Sequence, residues 1–261
     1  MSAGIDKELV GRRFRRALPT YARNADIQRR MAARLLEMIE FAGGVPRHIG
    51  RVFEFGSGSA ILTSMLFDRY SVETFFSNDL VAESCTFVEK AVAGRPVGRM
   101  EFMHGDVESL EVLPDNLDLV ISNATLQWLH EPDSFFGRLA GSVRPGGLVA
   151  FSTFGVENMR EIAALEEAAL PYRSLDEIVA LAGELFEVSV IQHEIIRQEF
   201  ENPEAVLRHI RETGVNGVAR RTWTRSQYLD FLRRYRAAYH SGSGVILTWH
   251  PVYCCFRRKK L

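Results

Sequence analysis

The chain has 261 residues, 46% of them apolar and 25% charged, the balance of an ordinary soluble globular protein. That composition excludes wholesale disorder, and no run approaches the ~18 unbroken apolar residues of a membrane span. The net charge of −1 hides an asymmetry: residues 1–40 carry 9 Lys/Arg against 5 Asp/Glu, residues 41–196 carry 10 against 23, and residues 197–261 carry 13 against 5. An acidic centre between two basic ends fits a protein that meets an anionic partner.

In chain order, the first 43 residues read as helix. Phe14, Ala17, Leu18 and Tyr21 recur at helical spacing, with Pro19 as an expected break. A second run carries Ile27, Met31, Leu35, Met38 and Ile39, stopped by Gly43-Gly44. The basic N-terminus is followed by no apolar stretch, so no secretory signal is expected. Strands and helices then alternate: strand Arg51–Phe55, helix Ala60–Tyr70, strand Thr74–Asn78, helix Ala82–Val92, strand Met100–His104 and strand Leu117–Asn123. Helix Asp133–Val143 should end at Pro145-Gly146-Gly147, before strand Leu148–Phe154. Val156–Ala169 and Leu175–Leu185 look helical and Val188–Phe200 strand-like. Pro203–Thr213 and Ser226–Tyr239 look helical, separated by Gly214–Gly217, and Val245–Phe256 is a final strand. The alternation predicts an α/β fold, a doubly wound and mostly parallel sheet with right-handed crossovers. One domain is expected: 1–43 as an N-terminal helical cap, 44–200 as a nucleotide-binding core, and 201–261 as cap helices with a closing strand. Cys254 and Cys255 are adjacent in that last strand, so their side chains should point to opposite faces. They form neither a disulfide pair nor a metal motif and fit the reduced thiols of a cytoplasmic protein.

The first strand ends in Glu54-Phe55-Gly56-Ser57-Gly58 and a helix follows. Glycines there permit a tight turn and let a ligand approach the backbone. A lone Gly-x-Gly is weak, but two further acids strengthen it. Asp79 follows the second strand, where a carboxylate can take both hydroxyls of a ribose. Asp106 follows the third, after Gly105, where it can accept from an adenine amino group. A dinucleotide fingerprint would need glycine at position 61, which is Ile61.

These motifs resemble the class I S-adenosylmethionine (SAM)-dependent methyltransferases, with a Rossmann-like core. The resemblance implies that Glu54, Gly56 and Gly58 hold the methionine part of SAM, Asp79 the ribose and Asp106 the adenine. Ser57, Leu80, Val107 and Asn123 beside them, with Gln28 from the N-terminal helices, complete the expected cofactor set. Ala60 stands where a third glycine is usual; alanine is small and helix-compatible, so the turn is expected to survive.

A closer resemblance rests on Phe14, Ala17, Tyr21, Ala25 and Gln28, on Ser122-Asn123-Ala124-Thr125-Leu126-Gln127-Trp128, and on Phe151-Ser152-Thr153-Phe154-Gly155. With His209-Ile210-Arg211-Glu212-Thr213-Gly214 and Leu247-Thr248-Trp249, these look like the malonyl-acyl carrier protein O-methyltransferases of biotin synthesis. The resemblance implies SAM as cofactor, S-adenosyl-L-homocysteine as product, and no metal. It implies an acyl carrier protein bearing malonyl-phosphopantetheine as partner, with no nucleic acid and no membrane. A malonyl carboxylate is ionised at neutral pH and needs placement rather than a general base. Tyr21, Gln127, His209 and Arg211 are the expected acceptor-side residues, with Arg211 or His209 as the cation. Trp128 reads as a core anchor or as part of this side. The alternatives are a methyltransferase of another small acid or quinone-like molecule, and a SAM-binding protein without turnover.

Overall fold

The computed structural model describes residues 5–166, 170–212 and 223–260. Two helices, α1 (Lys7–Asn24) and α2 (Asp26–Phe41), precede β1 (His48–Phe55), α3 (Ile61–Arg69), β2 (Ser71–Asp79), α4 (Ser84–Val92), β3 (Val97–His104), β4 (Leu117–Asn123), α5 (Pro132–Ser142) and β5 (Val143–Phe154). Then follow α6 (Arg160–Leu165), α7 (Leu175–Ala180), β6 (Phe186–His193), β7 (Ile196–Phe200), α8 (Pro203–Glu212), α9 (Arg225–Ala238), β8 (His240–Ser241), β9 (Gly244–Trp249) and β10 (Pro251–Arg258).

Seven strands form one sheet in the order β3-β2-β1-β4-β5-β10-β6. β1 through β5 pair in parallel, and β10 runs antiparallel between β5 and β6. This is the class I methyltransferase fold. The strand order reverses between β1 and β4, and such a switch point opens a crevice at the carboxyl ends of the strands. Side-chain alternation splits the interior into two layers. Val52, Leu119, Ala150 and Cys255 join one apolar cluster with α2 and α3; Phe53, Val120, Phe151 and Cys254 join another with α5 and α7. No described helix is long and apolar enough to cross a membrane.

Five expectations need correction. Pro19 does not break α1, which runs through it. Proline removes one helix hydrogen bond, that to the Arg15 carbonyl, and both residues are exposed, so water can satisfy it. The apolar face meanwhile continues across the site. Pro145-Gly146-Gly147 does not precede β5 but lies within it, and β5 pairs with β4 through a register shift there. Residues 188–200 are not one strand: β6 edges the large sheet, whereas β7 joins a second, antiparallel sheet in the order β7-β9-β8. Residues 245–256 divide likewise at His250, because Pro251 offers no N–H and restricts the residue before it. Within the described part of the expected helix Val156–Ala169, only α6 is helical, since the 155–159 turn is tied to the next strands by Gly155 N–H to His250 O (2.8 Å) and Met159 N–H to Thr248 O (2.7 Å); residues 167–169 lie outside the described residues. The expected break at Gly214–Gly217 and the Thr213-Gly214 part of the acceptor motif lie outside the described residues.

Candidate functional site

A cleft of about 1000 Å³, partly open to solvent, lies over the carboxyl ends of β1, β2, β3 and β4. Its floor is the turn after β1. Gly56 has φ +72°, and a Cβ there would meet Thr125 Oγ1 at 2.1 Å, so only glycine fits. Gly58 has φ +51° with nothing within 4 Å of where a Cβ would stand. Its N–H donates to Asp79 Oδ2 at 2.7 Å. Ala60 also adopts the left-handed conformation, φ +59°, at the N-cap of α3. Helix-compatible backbone was expected here, and a left-handed one is found; the turn keeps its shape with a side chain in glycine's place.

Three carboxylates face this turn from three strand ends. Glu54 is 1% exposed and accepts from Thr63 Oγ1 at 2.6 Å. Burial pushes its carboxyl up to about 8, with the Thr63 bond opposing and the Asp79 charge adding. Asp79, the last residue of β2, accepts from Val81 N–H at 2.7 Å as well as from Gly58. Burial raises it too, against those two backbone bonds. A carboxylate has about four lone-pair sites, so Asp79 keeps capacity for a diol. Asn78 Nδ2 donates to Met103 O (2.8 Å) and Gly105 O (2.9 Å), which fixes the β3 end and therefore Asp106. Both Asp106 oxygens accept from Lys7 Nζ, at 2.8 and 2.7 Å, and Lys7 also meets Glu108.

Lys7 belongs to α1, which roofs the cleft. Lys7, Val10, Phe14, Leu18 and Tyr21 all line it. At 100° per residue these positions share one helix face. Burial, with Asp79 second, raises the Tyr21 phenol, so it stays a donor at neutral pH. Gln28 of α2 lines the cleft, and its carbonyl accepts from Asn123 Nδ2 at 3.0 Å. Asn123 Oδ1 accepts from Ser152 Oγ at 2.5 Å, so this side chain locks α2 to β4 and β5. Trp128, from the 3-10 turn Leu126–Trp128, packs edge-on against Phe14 at 5.8 Å.

Eleven expected residues thus line one cleft: Tyr21, Gln28, Glu54, Gly56, Ser57, Gly58, Asp79, Leu80, Asp106, Val107 and Asn123. Buried hydroxyls of Ser57 and Ser59 and the Trp128 indole N–H have no hydrogen-bond partner among the described residues. Unpaired buried donors in a concave, acid-edged cleft are what a polar ligand would satisfy. The acids and the open glycine turn fit a ribonucleoside with a cationic amino acid tail. The other three expected residues lie elsewhere. Gln127 lines a neighbouring pocket with Thr153, Tyr172 and Arg173, and is held by Thr153 Oγ1 at 3.1 Å and Ala124 O at 2.7 Å. His209 packs its ring against Phe200 (5.3 Å) and Trp249 (5.7 Å), and burial lowers its pKa. Arg211 is exposed on the last turn of α8. Lys7 and Trp128, which line the cleft, and Arg173, which lines the neighbouring pocket, are residues that the sequence left unmarked or open. Lys7 carries no motif, and only the pairing of α1 with the β3 end identifies it. Among the described residues, no three His, Cys, Asp or Glu side chains gather as metal ligands.

A methyltransferase domain family matches residues 53–151, from β1 to β5. A malonyl-acyl carrier protein O-methyltransferase of Prosthecochloris aestuarii is 47% identical over 254 residues, covering 97% of this chain and 94% of that protein. Among solved structures, a candidate methyltransferase of Bacillus halodurans has a TM-score of 0.63 at 12% identity, covering 88% of this chain and 99% of that one. A phosphoethanolamine N-methyltransferase of Haemonchus contortus, in complex with S-adenosyl-L-methionine, has a TM-score of 0.51 at 15% identity, covering 85% of this chain and 51% of that one.

Proposed function

Because the chain belongs to the malonyl-acyl carrier protein O-methyltransferase family, we propose that it transfers a methyl group from SAM to the free carboxylate of a malonyl thioester on acyl carrier protein, early in biotin (pimeloyl) synthesis. The observation that carries this reading is the full-length identity to that family, joined to a cleft whose acids sit at three successive strand ends.

SAM, when bound, supplies an electrophilic methyl group on a sulfonium. Glu54 would hold its cationic amino acid end, Asp79 its ribose hydroxyls and Asp106 its adenine amino group, with Gly56, Ser57 and Gly58 against the methionine part. Leu80, Val107 and Asn123 would wall the nucleoside, and Gln28 would close the methionine end. The acceptor arrives as a carboxylate, so the chain has no proton to remove; its work is to place one oxygen and exclude water. Tyr21, a protonated donor in the roof, is suited to orient that oxygen. Gln127 is suited to the far side of the acceptor, from its pocket beside the cleft. Arg211 remains the proposed cation from α8, while His209, whose pKa burial lowers, would act as a neutral ring; both would need to act from the side of the cleft rather than its floor. The chain acts as one domain in this reading, with α1, α2 and the helices of 201–261 as cap and β10 as the strand that closes the core sheet. It requires no metal, binds neither nucleic acid nor membrane, and works in the cytoplasm.

The test is a methyl-transfer assay comparing malonyl-carrier protein, malonyl-CoA and free malonate. Preference for the carrier substrate is expected. Equal turnover of free malonate would assign a small-acid methyltransferase instead, and SAM binding without any transfer would assign a non-catalytic binding protein.

A further inference from the structure

The two basic ends of the sequence meet on one surface. α1 packs against α8. The electrostatic influence of Asp26 on His209 sets the corner between α1 and α2 beside the last turn of α8. With Lys7, Phe14 and Tyr21 turned into the cleft, positions 12, 16 and 23 fall about 180° away at 100° per residue. Arg12, Arg16 and Arg23 are accordingly exposed, as are Arg208 and Arg211 on the outer face of α8.

These charges differ from those elsewhere on the molecule. Arg51, Arg95, Arg99, Arg144 and Arg160 each meet a carboxylate within 2.9 Å, so the arginines around the acidic centre are largely neutralised in pairs. Arg16, Arg23, Arg208 and Arg211 have no ion-pair partner among the described residues. Arg12 has only a loose contact to the exposed Glu8, at 3.6 Å. Unneutralised guanidiniums on adjoining helices make a field that favours a partner with a carboxylate-rich face, through charge-assisted and bidentate bonds.

We propose that the outer face of α1 and α8, centred on Arg16, Arg23 and Arg208, docks an acidic helical carrier protein directly over the roof of the cleft. The proposal rests on the function proposed above, and it adds the surface on which the partner sits. A carrier there stands one helix away from the site, about 10–12 Å, so its flexible arm has only the end of α1 beside Tyr21 to round. The face that binds the protein and the face that binds the small molecule are two sides of one helix.

The experiment compares wild type with the double variant Arg16→Glu/Arg23→Glu, using malonyl-carrier protein and malonyl-pantetheine as alternative acceptors. Lys90→Glu, an exposed cation on α4, controls for a charge reversal elsewhere on the surface. The double variant should raise KM for malonyl-carrier protein by roughly tenfold or more and leave kcat within about twofold, as loss of two charge-assisted contacts requires. Kinetics on malonyl-pantetheine and SAM affinity should not change, and Lys90→Glu should resemble wild type. Raising salt should weaken the wild type toward the variant, because exposed charges are screened within about 10 Å at 0.1 M. An equal loss on both acceptors, or no loss on either, overturns the docking surface. Were wild type to methylate neither acceptor, the function proposed above would fail. Docking would then be read from calorimetry with unacylated carrier protein, where binding weakened by the double variant supports it and absence of binding overturns it. Retention of wild type, but not the variant, on anionic vesicles or RNA with unchanged carrier kinetics would also overturn it.

Discussion

Lys7 and Asp106 stand 99 positions apart, yet the ammonium of one lies 2.8 and 2.7 Å from both carboxylate oxygens of the other. The contact fastens the first turn of the roof helix to the strand end assigned to adenine. Lys7→Met should loosen that end. A hydrogen bond to a charged group contributes roughly 1.5–3 kcal/mol, less here because the pair is partly exposed. SAM dissociation measured by stopped flow should quicken about three- to tenfold, with the association rate rising as well. Unchanged rates in both directions would show that the roof does not limit exchange.

Glu54 makes a pH-dependent claim. Its carboxyl is raised from 4.5 to about 8 in the folded, ligand-free protein. Between those values the folded state keeps a proton that the unfolded state has lost, so stability falls as pH rises through this window. Asp79, also raised, adds in the same direction. A cationic ligand group beside Glu54 favours its ionised form, so SAM binding near pH 7 should release a proton and tighten as pH rises toward 8. Calorimetry in two buffers of different ionisation enthalpy measures that release. Glu54→Gln should abolish most of it, and an identical release in the variant would exclude Glu54 as its source.

Asp79→Asn keeps the shape of the side chain but sets an amide donor among the N–H groups of Gly58 and Val81. Losing a charged acceptor there corresponds to roughly 1.5–3 kcal/mol, or about tenfold to a hundredfold in SAM affinity. Titration calorimetry on variant protein with a wild-type urea transition gives the answer. Undiminished affinity would remove Asp79 from the ribose site.

Tyr21→Phe separates acceptor from cofactor. The phenol is held in its protonated form, so its loss should remove a donor rather than a base. The specificity constant for the malonyl acceptor should fall about tenfold, as for one bond to a charged group, with no shift in the pH profile. SAM affinity should stay within about twofold. A fall in SAM affinity with intact turnover would reassign Tyr21 to the cofactor.

Ala60→Gly should stabilise the protein. A non-glycine residue in the left-handed region costs roughly 1–2 kcal/mol, partly offset by the greater freedom of glycine in the unfolded chain. A net gain of up to about 1 kcal/mol would raise the melting temperature by about 2–4 °C. A lower melting temperature would mean that burial of the Ala60 methyl outweighs the strain.

The gathering of Glu54, Asp79 and Asp106 in one cleft was legible because it is built locally, each residue lying at or just after the end of its own strand. Leu117–Asn123 was legible to the residue, since its Leu119-Val120-Ile121 centre is the apolar run of a central parallel strand. What stayed hidden depends on pairing between distant segments. β propensity marks 188–200 and 245–256 as extended but says nothing about which sheet each part joins. Pro19 breaks a helix by local rules, yet an exposed proline on a helix with a continuous buried face is tolerated. Lys7 is one basic residue among nine in the first 40, and only the folded contact with Asp106 singles it out. On the acceptor side, Arg211 was marked by its motif, whereas Arg173, which lines the pocket beside Gln127, carries no motif and becomes visible only in the fold.

Cys254 and Cys255 are both fully buried, and they belong to different layers of the interior, one on each side of β10. Burial raises both thiols, Cys255 to about 12, so neither offers thiolate to a reagent while its layer is closed. Adjacent in sequence and opposite in space, they form a two-sided gauge. A pulse of alkylating agent during slow unfolding would mark position 254 if the α5 and α7 side peels first, and position 255 if the α2 and α3 side does. A single tryptic peptide would then record the order in which the two halves of the molecule come apart.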